Sequence, residues 1–137
     1  MKTKTLYRPV GIKELELIAD TDWKEFPPRL EWQPIFYPVL NQAYAEQIAM
    51  EWNTEDSFSG YCGIVTRFVI QEEHFLQYNA ENVGAEMHNE LWVPAEMLST
   101  FNQNIVGKIE VVNVFFGSAF LLPEHKLVRE ELLKFKS

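Results

Sequence analysis

Two hydrophobic periods alternate along this chain. From Gly63 to Ile70, Val65, Arg67 and Val69 oppose Ile64, Thr66, Phe68 and Ile70, the period of a strand. Ile109 to Phe116, rich in Val and Phe, predicts a second strong strand. Met87 to Val93 predicts a third, with His88, Glu90 and Trp92 on one face and Met87, Asn89, Leu91 and Val93 on the other. Leu6 to Val10 reads as a short first strand ending near Gly11.

The other period is helical. Ile12, Leu15, Ile18 and Ala19 recur with charged residues between them, which predicts an amphipathic helix. Leu40, Tyr44, Ile48 and Trp52 step by four, Ala45 and Ala49 broaden the stripe, and Asn41 is the expected N-cap. Pro94 suits the first position of a further helix, with Met97, Phe101 and Ile105 on its inner face and Gly107 at its end. Glu72 to Tyr78 predicts a short helix or turn, and Glu124 to Lys136 a charged helix. Asn53 to Gly60 and Asn79 to Glu86 read as turn or loop. Between Thr21 and Pro38, Pro27, Pro28, Pro34 and Pro38 alternate with Trp23, Phe26, Trp32, Phe36 and Tyr37. That composition predicts a stiff, extended loop pinned by aromatics, with a short strand at Ile35 to Tyr37.

Strands interleaved with helices, without the glycine-rich turns of a dinucleotide-binding unit, indicate an α+β class. We expect a mixed or largely antiparallel sheet of about four to six strands. At 137 residues, one domain spanning 1–137 is expected. No apolar run approaches the roughly 20 residues that a membrane helix needs, and no apolar segment follows Lys2 and Lys4, so neither membrane insertion nor a signal peptide is expected. The net charge of -8 disfavours a general nucleic-acid-binding surface. The lone Cys62 excludes an internal disulfide and a cysteine-based zinc site, which points to a cytoplasmic location.

The candidate chemistry is sparse. His74, His88 and His125 show no metal-binding spacing, and there is no Walker loop or serine-nucleophile elbow. Cys62 has no local base and reads as a small semi-buried residue. Glu90, with His88 two residues earlier on the same face, is either a base or acceptor in a cleft or a surface residue guarding an edge strand. Arg8 and Arg29 offer planar forks for phosphate or carboxylate, or are surface arginines. Arg67, in a strand, is expected to pair with a carboxylate. Trp32, Phe36, Tyr37 and Tyr44 line a pocket for a flat ring or form ordinary core.

Leu6-Tyr7-Arg8 on a first strand, Phe36-Tyr37 ahead of the alanine-rich stretch Tyr44 to Ala49, and Glu90-Leu91-Trp92-Val93-Pro94 together resemble the ADP-ribosyltransferase-like fold, over roughly Leu6 to Val114. The chain also resembles short bacterial proteins labelled ADP-ribosylation/crystallin. The larger helical glycohydrolases evoked by that label carry acidic magnesium sites, and no such Asp pattern occurs here. The transferase resemblance implies that Arg8 holds the diphosphate or nicotinamide ribose of NAD, that Tyr37 stacks near the nicotinamide, and that Glu90 bonds the ribose hydroxyl. It implies NAD as substrate and transfer of ADP-ribose to an unknown acceptor. His88 stands where that family often has Gln or Glu, and no Ser-Thr-Ser element is present, which leaves target specificity and transferase activity open. Two rivals remain: a non-enzymatic acidic interaction module, immunity- or adaptor-like, using clusters such as Glu72-Glu73, and a nucleotide-ester hydrolase with His88 as base.

Overall fold

The computed structural model describes residues 2–82 and 89–136. The first strand, β1, is longer than expected and spans Thr3–Val10. Its alternation buries Leu6, Arg8 and Val10 on one face. It pairs antiparallel with β3, Cys62–Gln71, which pairs in turn with β6, Glu110–Phe116. The ladder between β3 and β6 slips at Val65/Thr66, where the partner residue moves from Asn113 to Val111. That is the signature of a bulge.

A second antiparallel sheet has β2, Ile35–Phe36, and β4, Asn79–Asn82, on either side of β5, Asn89–Pro94. Among the described residues the α+β class is therefore realised as two antiparallel sheets of three strands. Val39 joins them: it pairs with Tyr7 of β1 on one side and with Glu90 of β5 on the other.

The predicted helices form at α1, Ile12–Ala19, and α2, Gln42–Glu51, with α5 at Lys126–Leu133. Asn41 caps α2 as expected, its side chain accepting from the Tyr44 N–H at 2.7 Å. The short α3 covers Glu72–Phe75. Phe26, Phe36, Phe68 and Phe101 form an aromatic core whose ring centroids lie 4.8–6.0 Å apart. α2 packs on the opposite face of the first sheet. It comes so close at Ala49 that a Cβ on Gly63 would stand 2.3 Å from the Ala49 carbonyl oxygen. Covered from both sides, β3 buries every residue from Cys62 to Thr66 and resumes strict alternation only beyond them.

Three expectations need correcting. Asn79–Asn82, read as loop, is β4: β5 supplies a pairing edge, and a polar edge strand carries no local hydrophobic signal. Pro94 does not open a helix. It ends β5 opposite Ile35, and a 3-10 turn at 95–97 intervenes before α4, Leu98–Gln103, whose buried residues are Leu98 and Phe101. The step-of-four stripe on α2 faces the core as expected through Tyr44 and Ile48, with Ala45 and Ala49 buried beside them, but its last member departs: Trp52, just beyond the helix, is 60% exposed.

Candidate functional site

Beyond Tyr7 the chain turns at Gly11 into α1, while β2 and then Val39 run along β5. Between them opens a cleft of about 700 Å³. Its walls come from the end of β1, the start of α1, the Pro27–Gln33 loop, the outer face of α2 and the turns at 53–59. Arg8, Arg29, Tyr37, Tyr44 and Glu90 all line it. His88 lies outside the described residues.

The two arginines differ in their surroundings. Arg8 sits on the core face of β1 and is only 7% exposed. Its Nε and a terminal nitrogen donate to the two carboxylate oxygens of Glu14 at 2.7 and 3.0 Å. The guanidinium also lies 4.7 Å from the centre of the Phe36 ring. Burial disfavours its charge, but the charge and hydrogen bonds of Glu14 outweigh burial and hold its pKa above the ordinary arginine value. Its fork is thus engaged by an internal carboxylate, whereas the family resemblance expects it to face a diphosphate.

Arg29 is half-buried. Its Nε donates to the Ile35 carbonyl at 3.0 Å, and its guanidinium lies 6.0 Å from the centre of the Tyr37 ring. Among the described residues no carboxylate stands within ion-pairing distance of it. Burial, then the nearby charge of Arg8, lower its pKa. An anion entering the cleft therefore meets at Arg29 a half-buried cation that an opposite charge would favour, and at Arg8 a cation already engaged by Glu14.

Glu90 is held from two sides. Tyr44 donates its hydroxyl to Oε2 at 2.6 Å, and the Trp92 indole donates to Oε1 at 3.0 Å. Glu90 lines the cleft, and a carboxylate oxygen can accept more than one hydrogen bond. Burial, and then the bond to Glu90, push the Tyr44 hydroxyl well above its ordinary range, so it serves as a donor and not as a base. The predicted aromatic group divides: Phe36 joins the core, Trp32 is exposed away from the cleft wall, and only Tyr37 and Tyr44 line it.

At the far end of the cleft stands a network that the sequence reading passed over as polar turn. Asn53, 4% exposed, donates from Nδ2 to Ser59 Oγ at 2.9 Å, and Ser59 donates to Asp56 Oδ2 at 2.7 Å. Trp52 and Phe58, both exposed, flank these residues on the cleft wall. Nothing in the spacing of residues 53–59 announces this network. The Arg8–Glu14 pair did leave a signal: alternation puts Arg8 on the buried face, which demands a counter-ion, and Glu14 lies in the first turn of the helix that follows.

The remaining candidates resolve plainly. Arg67 meets Glu110 at 3.4 Å, as expected. Cys62 is fully buried, and burial raises its thiol pKa to about 12, which leaves it inert as a nucleophile. His74 bonds Tyr78 and His125 bonds Asp20, and no metal-binding cluster occurs among the described residues. No described helix is long and apolar enough to cross a membrane. No family model, curated protein or solved structure matches the chain.

Proposed function

We propose that this cleft binds a nucleotide of the NAD type, and that Glu90 supports transfer of ADP-ribose to an acceptor. The supporting observation is the convergence of Arg29, Tyr37 and Glu90 on one cleft of about 700 Å³ at the junction of the two sheets. That volume lies in the range of small-molecule sites. Arg29 takes the anionic diphosphate, Tyr37 offers a ring face, and Glu90 accepts from ribose hydroxyls. Arg8 is a positioning residue in this assignment, holding Glu14 and the Phe36 ring behind the site.

In the transfer step the bond between ribose C1′ and the nicotinamide nitrogen breaks, and nicotinamide leaves with the bonding pair. The Glu90 carboxylate, oriented by Tyr44 and Trp92, stabilises the positive charge that develops on the ribose. An acceptor oxygen or nitrogen bonds to C1′ and releases its proton. Calorimetric titration with NAD and ADP-ribose tests the binding claim. We expect saturable binding with Kd at or below about 1 mM, and weaker binding by Glu90→Gln. A folded protein that binds neither ligand at millimolar concentration overturns it.

The interaction-module alternative draws on a different observation. Phe58 and Leu121 are 92% and 82% exposed on the wall of a second concavity, of about 420 Å³. In that alternative, Glu90→Gln leaves function intact while Leu121→Ser, outside the first cleft, removes it.

A further inference from the structure

The Pro27–Gln33 wall of the cleft is fastened at its two ends and tied to little else between them. At one end Phe26 is buried, its ring packs on Phe36 and Phe68, and its N–H and carbonyl both bond the Asn102 side-chain amide of α4 at 3.0 Å. At the other end the Pro34 carbonyl accepts from the Ala95 N–H at 2.8 Å, and Ile35 enters β2 opposite Pro94. Among the described residues, every hydrogen bond of the segment 27–33 has both partners within residues 29–35. The Leu30 N–H donates to Gln33 Oε1 at 3.0 Å, the Gln33 N–H donates to the Leu30 carbonyl at 2.8 Å, and Arg29 reaches the Ile35 carbonyl. Leu30 and Trp32 are exposed, and neither joins a hydrophobic cluster of the core. A segment with few buried apolar contacts and only local hydrogen bonds is displaced at low cost. Pro27 and Pro28 stiffen its first half, so displacement concentrates at the fastened ends.

We propose that residues 27–33 form a strap that a phosphate-bearing ligand closes over the cleft, with Arg29 as its clasp; this rests on the nucleotide reading of the site. Arg29 spends its Nε on the Ile35 carbonyl at the base of the strap, and no carboxylate among the described residues pairs with its guanidinium. A phosphate bound there is gripped from the strap. Glu90, held by Tyr44 and Trp92, grips the same ligand from β5. Closure lets both grips act on one molecule, and a ligand shifts a conformational equilibrium through such differential contacts. Leu30 travels with Arg29 and lines the cleft, so closure draws an apolar side chain over the ligand and excludes water. Trp32 stands on the same turn but lines neither the cleft nor the second concavity, so it follows the strap without touching the ligand.

Hydrogen exchange followed by mass spectrometry, with and without saturating ADP-ribose, tests the strap. We expect the amides of Arg29 to Gln33, that of Trp32 included, to exchange about fivefold or more slowly with ligand. Coverage by the ligand alone would not protect Trp32, which is off the cleft wall. Arg29→Gln removes the clasp, so at an ADP-ribose concentration that restores saturation the protection should vanish. Protection retained in saturated Arg29→Gln overturns the clasp. Pro28→Gly keeps Arg29 but loosens the strap, and should weaken ADP-ribose binding about two- to fivefold, because a freer segment loses more conformational entropy on closing. Unchanged affinity in that variant overturns the strap. Calorimetric binding of ADP-ribose by the unmodified protein with unchanged exchange across the segment overturns the strap and leaves the cleft reading standing. Failure of the folded protein to bind at millimolar concentration overturns both.

Discussion

Replacing Glu14 by Gln separates the roles of the two cleft arginines. Arg8 and Glu14 form a two-point pair at 2.7 and 3.0 Å, with side chains 8% and 22% exposed. Breaking one partner of a buried pair costs about 3–5 kcal/mol, because a charge is left uncompensated away from water. Glu14 keeps about a fifth of its side chain in solvent, and Gln retains one acceptor for the guanidinium. We therefore expect a loss nearer 2 kcal/mol, read as a fall of about 1 M in the urea midpoint at unchanged slope. Arg8→Met combined with Glu14→Met should recover most of that loss, since an apolar replacement of both partners removes the stranded charge. High salt should change the coupling little, as expected of a shielded pair. A loss below about 0.5 kcal/mol for Glu14→Gln would mark an exposed, weak pair. In that case the Arg8 fork is open to solvent and to ligand, and the assignment of the anion to Arg29 in preference to Arg8 fails.

Arg29→Gln should leave the urea midpoint nearly unchanged yet weaken ADP-ribose binding by about tenfold or more, as loss of a charged hydrogen bond predicts; the same calorimetric titration measures it. Gly63→Ala should destabilise by several kcal/mol, because its Cβ would meet the Ala49 backbone at 2.3 Å, and thermal unfolding monitored by circular dichroism reads the effect. Cys62 provides a pH test. Its folded pKa is raised to about 12 by burial, so above the ordinary thiol value the unfolded chain binds fewer protons than the native one, and stability falls as pH rises through about 9 to 12. Tyr44 and Tyr78, raised chiefly by burial, act in the same direction. Cys62→Ala should make the alkaline decline shallower in urea unfolding followed across that range, and a slope identical to that of the unmodified protein would contradict the burial argument.

What the linear chain determined are the features that local periodicity and local chemistry control. α1 appears where Ile12, Leu15, Ile18 and Ala19 predict it, because an amphipathic stripe carries its own period. The Asn41 cap reaches only three residues along the chain. Along β5, Leu91 and Val93 are buried while Trp92 is exposed, as alternation requires. The cleft residues Arg8, Arg29, Tyr37, Tyr44 and Glu90 were also nameable one by one, as residue types suited to a ligand.

Tertiary structure alone decided how those residues are used. β4 exists because β5 offers a backbone edge to a polar segment. Trp52 is exposed because α2 ends at Glu51, while Tyr44, Ala45 and Ala49 seat the helix on the sheet. Val39 brings β1 and β5 together, so residues distant in sequence share one cleft. Within it, Glu14 engages Arg8, Arg29 remains the cation without a carboxylate partner among the described residues, and the Asn53 amide is locked by Ser59 and Asp56. Beyond a local cap such as Asn41, hydrogen-bond partnership is a property of three-dimensional neighbours, which hydrophobic periodicity does not encode.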